Sequence, residues 1–303
     1  MKKRFVFLGS ATLLSLFLFS CKSEPPPPVQ VQGSVVIRSM VDGGSNQHPE
    51  GVLIEVRSAS GKRLAETRTN RIGWFQVAAP GAAVGDELRV RATYLDPETG
   101  LELRLAKRVT VSKDRYAYVP QISFADPSDI ELQKHQDSWL DAFGNVKIED
   151  SEGRFAHVWA HAFDPEFDRP FFPGNYRDAD GNKILSNGFL FVTAKDPSGQ
   201  QVAVLDRPIT VYFNIPNTHR YYLRDISPEN GLYEVPMYLF DEERDVWVRR
   251  GTGVVVNASF QPVPESDEER VRTDPNYGKL FVKFRADHFS TWNVDHPLPP
   301  CNQ

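Results

Sequence analysis

Short segments in which apolar and polar residues alternate recur along most of the chain. The clearest runs are 52–57 and 88–94 in the first half and 155–163 and 209–215 in the second. Alternation with a period of two is typical of strands. Turn residues such as Asp196-Pro-Ser-Gly199 separate the runs. The pattern predicts an all-β protein made of two antiparallel β-sandwich domains in tandem.

The N-terminus has a different pattern, which is typical of a secretory signal peptide. Three basic residues at positions 2–4 precede an apolar run over 5–19, and Ser20 then stands directly before Cys21. An apolar stretch of about 15 residues is short for a hydrocarbon core of about 30 Å, so it suits a cleaved signal better than a membrane span. We therefore expect residues 1–20 to be removed.

The end of this segment, Leu18-Phe-Ser-Cys21, resembles the lipobox of bacterial lipoproteins. The resemblance implies that Cys21 is acylated, for example with palmitate, and becomes the new N-terminus, which places the protein at the membrane. The next residue is Lys22 rather than aspartate, and by similarity to enterobacterial lipoproteins this implies the outer membrane. A plain secretion signal with a chance cysteine is the alternative.

Residues 21–29 form the predicted lipidated, proline-rich linker. The four consecutive prolines at 25–28 favour an extended polyproline helix, which would lift the first domain off the bilayer. Cys21 and Cys301 are the two cysteines of the chain. Acylation of Cys21 would leave Cys301 unpaired near the C-terminus, where it is either a tail residue without function or a reactive thiol.

Charge excludes one class of partner. The 303-residue chain carries a formal net charge of -5. Loss of the three basic residues in the signal peptide makes the mature chain more acidic. Binding to nucleic acid through phosphates requires a basic face, so we expect no nucleic-acid partner. Attachment to the membrane would depend on acyl chains rather than on attraction to anionic lipids.

Residues 30–125 are predicted to form the first β-sandwich, and their motifs resemble the carboxypeptidase regulatory-like domain. The motifs are Gly33-Ser-Val, Gly51-Val-Leu-Ile-Glu-Val, Gly61, Thr67, Gly73-Trp-Phe, Pro80-Gly81 and Leu88-Arg-Val. The resemblance implies a small transthyretin-like sandwich that is not itself catalytic. The His-x-x-Glu pattern of metallocarboxypeptidases does not occur in the sequence.

Residues 126–150 are polar and predict a connector, with a weak helical option over 130–140. Residues 151–303 are predicted to form a second β-sandwich-like module. They resemble a β-rich module found in bacterial surface proteins and in cartilage intermediate layer proteins. The motifs are Phe172-Pro-Gly, Gly188-Phe, Asp196-Pro-Ser-Gly, Ile209-Thr-Val, Val235-Pro-Met-Tyr-Leu-Phe-Asp, Trp247-Val and His288-Phe-Ser-Thr-Trp-Asn-Val-Asp. The resemblance implies an extracellular structural or interaction module.

Three residues at alternate positions, His157, Trp159 and His161, form a possible binding face. Imidazoles can ligate zinc, but four residues along a strand span about 13 Å, too far for two bonds to one ion. The alternation with aromatic residues predicts a polar-aromatic face of a sheet.

A weak calcium candidate comes from Asp178, Asp180 and Asn182, because one loop supplies several oxygen ligands. The glycine spacing departs from the twelve-residue calcium loop, which favours a solvated turn. A second acidic loop, with Asp164, Glu166 and Asp168, could join the site if the two loops meet. Otherwise we expect no metal and no cofactor.

The sequence contains candidate residues for two further functions. Ser290 lies two residues after His288, with Asp295 nearby, but no Gly-x-Ser-x-Gly elbow is present, so a hydrolase ranks low. Aromatic rings, if exposed, could bind sugars, and the candidates are Tyr212, Tyr221, Tyr222, Trp247 and Trp292. We expect a non-enzymatic, lipid-anchored lipoprotein of the bacterial cell envelope that acts as a structural, adhesive or binding module. A carbohydrate-binding accessory lipoprotein is the alternative, and the expected partners are an envelope protein or a glycan.

Overall fold

The structure is a computed structural model that describes residues 26–41, 44–223 and 231–297. Its first half contains two sheets. One sheet has the order β4-β1-β7, with β8 also paired to β1, and the other has the order β3-β2-β5-β6. We call these eight strands the first module: β1 (Val29–Arg38), β2 (Leu53–Ser58), β3 (Arg63–Arg68), β4 (Trp74–Ala79), β5 (Glu87–Leu95), β6 (Glu102–Thr110), β7 (Tyr116–Tyr118) and β8 (Ile122–Ala125).

The alternation of the sequence explains how these sheets pack. Val31 in β1, Ile54 in β2 and Phe75 in β4 are all buried in one apolar cluster, while the residues between them are more exposed. Gly33 is required in β1, because a Cβ there would lie 2.9 Å from the Phe75 ring and from Val119. The alternation did not predict that β1 pairs in parallel with β7 and β8.

One antiparallel sheet of eleven strands forms most of the second half. Its order is β12-β13-β19-β16-β17-β18-β15-β11-β10-β9, with β14 paired to β13. We call these strands the second module: β9 (Gln133–His135), β10 (Ser138–Leu140), β11 (Val146–Glu149), β12 (His157–Phe163), β13 (Ile184–Lys195), β14 (Gln201–Val202), β15 (Val204–Asn214), β16 (Glu234–Asp241), β17 (Val246–Asn257), β18 (Leu280–His288) and β19 (Thr291–Pro297).

The expectation of a connector over 126–150 does not describe what these residues form. They contain the short helix α1 (Pro127–Ile130) and the strands β9 to β11, which extend the large sheet. Leu132 N, just before β9, donates to Val158 O in β12, at the other end of the strand order. The sheet therefore curves round a second apolar cluster that includes Trp139 and Trp292.

Strands β16 and β17, which contain the Val235-Pro-Met-Tyr-Leu-Phe-Asp and Trp247-Val motifs, form a hairpin. Strands β16 and β17 pair in antiparallel register, with Asp241 opposite Val246. The Asp241 carboxylate accepts hydrogen bonds from the backbone of Glu243 and Arg244, which fixes the turn. A second helix, α2 (Glu268–Thr273), and three 3₁₀ turns, at Arg169–Phe171, Asn217–Tyr222 and Glu265–Asp267, complete the regular structure. The fold is all-β, as the alternation predicted.

The apolar cluster of the first module continues into the second module. Trp159, Phe172, Phe189 and Trp247 of the second module belong to the same cluster as the inward-facing residues of β1 to β8. The Phe172 ring lies 5.0 Å from the Trp247 ring and 5.1 Å from that of Phe189. The two modules therefore share buried apolar surface rather than hanging from a flexible link.

Candidate functional site

The strand that carries His157, Trp159 and His161 is β12, and it pairs with β13 over its full length. These side chains do not form one exposed face. Trp159 is buried in the cluster shared by the modules, while Val158 and Ala160 belong to the second cluster, so β12 has an apolar core on each side. Sequence alternation did not reveal the second core, because it shows which residues share a face but not what covers that face.

The two histidines of β12 have different surroundings. His157 is exposed, its Nδ1 lies 2.7 Å from Glu131 Oε1, and its ring stacks on Trp159 at 5.6 Å. The His161 ring meets Phe163 edge-on at 4.7 Å, and burial lowers the pKa of His161 to about 4, although the Asp129 carboxylate acts in the opposite direction. His161 is thus neutral at physiological pH and serves as a packed ring.

The calcium candidates lie together in one exposed turn. Asp178 accepts hydrogen bonds from the backbone of Asp180 and Asn182 at 3.0 and 2.8 Å, and from the Asn182 amide at 3.0 Å. Both carboxylate oxygens of Asp178 are therefore used within the turn. Among the described residues, no group of three or more histidine, cysteine, aspartate or glutamate side chains is arranged to hold a metal ion.

The second acidic loop has its own partners. Asp164 lies 3.0 Å from the Thr218 hydroxyl and 3.1 Å from His219 Nε2, both in the 3₁₀ turn at Asn217–Tyr222. The Asp168 carboxylate accepts a hydrogen bond from the Asp164 backbone. These contacts connect the loop to that turn, and the structure does not join it to Asp178.

The three residues of the hydrolase alternative point to different partners. Ser290 Oγ lies 3.2 Å from Phe240 O and 3.3 Å from Glu242 Oε1, whereas His288 Nδ1 lies 2.9 Å from the neighbouring Asp287 carboxylate. Asp295 is fully buried on β19 and accepts a hydrogen bond from Asn293. The structure therefore pairs Ser290 with a carboxyl group that the sequence did not single out.

Ser290 and Glu242 line an open cleft where the two modules meet. The cleft has a volume of about 580 Å³, and an adjoining groove of about 350 Å³ continues from it. Both parts contain Arg104 from β6 of the first module, and the remaining shared lining comes from loops of the second module: Ala203, Glu242, Phe289 and Ser290. We call this feature the intermodule cleft.

Polar groups in the cleft are held in place by both modules. Glu242 accepts a hydrogen bond on its backbone oxygen from the Arg91 guanidinium, which also contacts Asp245 Oδ1 at 3.0 Å. Burial raises the pKa of Glu242, against the opposing effect of the Arg104 charge. Arg104, half-exposed, pairs with Glu102 on the same strand. The cleft combines a mixed charged rim with apolar lining from Phe289 and Val204.

Residues of the second module form hydrogen bonds with backbone groups on the edge of β6 beside the cleft. The Gln201 amide bridges to Glu102, accepting from its N–H at 3.0 Å and donating to its carbonyl at 3.1 Å. Further along the strand, Gly174 N donates to Ala106 O at 2.8 Å. The second module thus covers an edge strand that would otherwise be free to pair with another chain.

Some of the aromatic rings proposed for sugar binding are buried, and others are exposed. Tyr212, Trp247 and Trp292 are buried, whereas Tyr221 and Tyr222 are exposed. Trp247 donates from its indole to Pro173 O at 3.2 Å, and Trp292 donates to His288 O at 3.1 Å, so both rings are structural. Cys21 and Cys301 lie outside the described residues.

Sequence comparisons add no assignment, because no protein-family model matches the chain and no curated protein matches it. Across the described ranges, no helix has the length and hydrophobicity to span a bilayer. Arg104 and Glu242 were missed at the sequence level. Charged residues on a strand and in a hairpin turn are ordinary surface positions, and only the contact between the modules brings these two into one cleft.

Proposed function

We propose that the protein is a lipid-anchored lipoprotein of the bacterial envelope, without catalytic activity, that acts as a structural, adhesive or binding module. The intermodule cleft is the place where it binds an envelope partner. The observation that carries this proposal is that the cleft forms between two modules sharing one apolar core. A fixed cleft with charged rim and apolar lining has the composition of a protein-binding surface.

The anchor is supported by the sequence and by the way the chain enters the fold. The lipobox-like segment ends at Cys21, and the prolines that follow lead into β1 at Val29. The Arg115 guanidinium donates to Pro27 O at 2.6 Å, which ties the end of the linker to the first module. A short tether of this kind would keep the module close to the membrane surface.

The non-catalytic assignment is supported by the partners of Ser290. A nucleophilic serine needs a base that accepts its proton. His288 is not placed as such a base, because its Nδ1 lies 2.9 Å from the Asp287 carboxylate, while the Ser290 hydroxyl lies within hydrogen-bond distance of Phe240 O and Glu242 Oε1. This arrangement favours a structural hydrogen-bond network.

Replacement of the predicted acylated residue tests the anchor. We expect Cys21→Ala to move the protein from the membrane fraction to the soluble fraction, because the acyl chains would be lost. Cys301→Ala is the matched control and should stay with membranes. Fractionation with immunodetection measures both, and equal membrane partitioning of Cys21→Ala and the native protein would contradict the lipoprotein proposal.

Site-specific cross-linking tests the cleft. A photoreactive residue at Val204, which is 65% exposed on the cleft wall, should form adducts with a partner in intact cells. The same residue at Phe167, which is 68% exposed elsewhere, is the control. Adding Arg104→Glu should reduce the Val204 adduct, because it reverses the charge on the rim. The same adducts from both positions would show that the cleft is not the binding surface.

A further inference from the structure

The β4-β1-β7 sheet has one face toward the apolar cluster, and its opposite, outward face is open to solvent. Alternate residues of the three strands point to it, as the register shows: Gln32 stands opposite Gln76 in β4 and beside Tyr118 in β7. We call the eight outward positions the platform: Gln30, Gln32, Ser34, Trp74, Gln76, Ala78, Tyr116 and Tyr118.

The second module limits the platform on one side. β1 alternates between buried and half-buried residues up to Ser34, and from Val36, the next outward position, the side chain is buried. Beyond it, Arg38 packs over the Phe171 ring of the second module at 5.8 Å. The platform is therefore the part of this sheet that the second module leaves uncovered.

Aromatic rings stand at both margins of the platform. Trp74 is 39% exposed on β4, and its backbone N–H is held at 3.0 Å by the Asn70 side chain. On β7, Tyr118 is 58% exposed and stacks on Tyr116 with ring centroids 5.7 Å apart. Trp139, Trp159, Trp247 and Trp292 are buried, so Trp74 is the one exposed residue among the five tryptophans.

Amide side chains occupy the space between the rings. Gln76 donates to Gln30 at 3.4 Å, which leaves each amide with further hydrogen-bonding capacity toward solvent. Gln32 lies between Gln76 and Tyr118 across the sheet, where strands are about 4.8 Å apart. None of the eight platform residues carries a charge.

We propose that the platform binds a neutral glycan chain. Aromatic rings offer flat apolar surfaces against the C–H faces of sugar rings, and amides can both donate to and accept from hydroxyl groups. The lack of charge disfavours anionic ligands, which need cationic partners. Four residues along the strands give a length of about 13 Å, enough for a short run of sugar rings.

This inference specifies a ligand class within the proposed binding function and is independent of the acyl anchor and of the intermodule cleft. Loss of glycan binding would therefore leave the membrane fractionation and the Val204 adducts unchanged. Conversely, a soluble Cys21→Ala protein should still bind glycan. The two failures can thus be told apart.

Tryptophan fluorescence tests the proposal directly. The full chain, purified in a detergent without a sugar headgroup, is titrated with chitotetraose and cellotetraose, with an oligogalacturonate as the anionic comparison. Iodide should quench mainly Trp74, because the other four tryptophans are buried. We expect a neutral tetrasaccharide to reduce this quenching, and we expect the anionic one to have no effect at the same concentration.

Single-residue variants test whether the glycan binds at the platform. Trp74→Ala and Tyr118→Ala should each weaken binding by about tenfold or more in calorimetry, because each removes a stacking surface. Tyr221→Ala removes a ring that is 59% exposed elsewhere and should bind as the native protein does. Circular dichroism confirms that each variant is folded.

The proposal would be overturned by no binding of neutral glycans on an array, by unchanged binding in both platform variants, or by equal loss in Tyr221→Ala. Stronger binding of the anionic chain, or of a protein captured through Trp74, would assign the platform to a different class of ligand and would also refute it.

Discussion

Asp295 is the residue at which burial and charge conflict most strongly. It is fully buried on β19, its Oδ2 accepts from Asn293 at 2.5 Å, and its Oδ1 has no hydrogen-bond partner among the described residues. Ser186 completes the small network by donating to Asn293 at 2.7 Å. Burial raises the pKa of Asp295 well above its ordinary value, since a carboxylate without a cation is poorly solvated there.

The pKa of Asp295 predicts how stability depends on pH. A raised carboxyl pKa favours the folded state at low pH, and this contribution is lost as the pH rises above 3.8 through the folded-state pKa. Asp295→Asn cannot ionise, so its free energy of unfolding, relative to the native protein, should increase between pH 4 and pH 8. Urea denaturation at several pH values measures this difference. The control Val294→Ala, on the same strand, removes no titratable group and should give a constant difference, and a constant difference for Asp295→Asn would contradict the prediction.

Residue-level expectations from the sequence succeeded for apolar positions and failed for such polar ones. The alternation over 52–57 correctly indicated a strand, in which Ile54 and Val56 are buried, whereas Trp292, a candidate sugar-binding ring, is buried against Phe284 at 4.9 Å. A charged residue in a strand usually marks the exposed face. The burial of Asp295 depends on β13 and β16 lying on either side of β19, which local sequence does not encode.

At the scale of elements, β12 shows what sequence alternation predicts about a strand and what it does not. The spacing of His157, Trp159 and His161 correctly gave a strand, which β13 pairs along its length. It did not show that the small residues of β12 face one core and the aromatic residues another. The same limit applies to 126–150, where polar sequence concealed strands that depend on β15 for pairing.

His161 gives β12 an acid-sensitive position. Its pKa is about 4 in the folded state and 6.5 ordinarily, because burial beside the shared core opposes protonation. Asp129 is the nearby acidic group and Phe163 the adjacent ring. The unfolded chain binds the proton more readily, so stability should fall as the pH drops from 6.5 to 4, by up to about 1.4 kcal/mol per unit.

Replacement of His161 tests this slope. His161→Leu should make the free energy of unfolding less dependent on pH in that window than it is in the native protein. Val158→Ala changes a buried apolar residue of the same strand without removing a titratable group and should retain the native pH dependence. Denaturant titrations between pH 4 and pH 7 measure both variants, and parallel curves for His161→Leu and the native protein would show that this ring is not the acid-sensitive group.

At the scale of the whole molecule, two charged residues at the module boundary, Lys107 and Asp245, are as buried as the shared apolar core. Lys107 on β6 is 6% exposed, and its amine donates to Phe172 O at 2.5 Å and to Arg169 O at 3.3 Å. Asp245 is buried against Arg91, and its backbone oxygen accepts a hydrogen bond from Nε of the Arg108 side chain at 3.1 Å. In these contacts the first module supplies the donors, whereas Gln201 and Gly174 of the second module donate to backbone oxygens of β6 elsewhere along the boundary.

The lowered pKa of Lys107 predicts that the free energy of unfolding increases at alkaline pH. Burial lowers its pKa to about 7 from 10.5, so below pH 7 the folded protein holds a charged amine in an apolar boundary. Between pH 7 and 10.5 the unfolded chain binds more protons than the folded chain, and stability therefore rises with pH, by up to about 1.4 kcal/mol per unit. Lys107→Met should lose this rise.

Both modules should respond together if the boundary is part of one core. Unfolding followed by the buried tryptophans, which are all in the second module, should coincide with unfolding followed by circular dichroism, which sees both. Lys107→Met should shift the two transitions equally at pH 9, where the native protein has gained stability, while the exposed Lys113→Met should shift neither. Separate transitions in the native protein would mean that the boundary contacts do not couple the modules, and the cleft between them would then lack a fixed geometry.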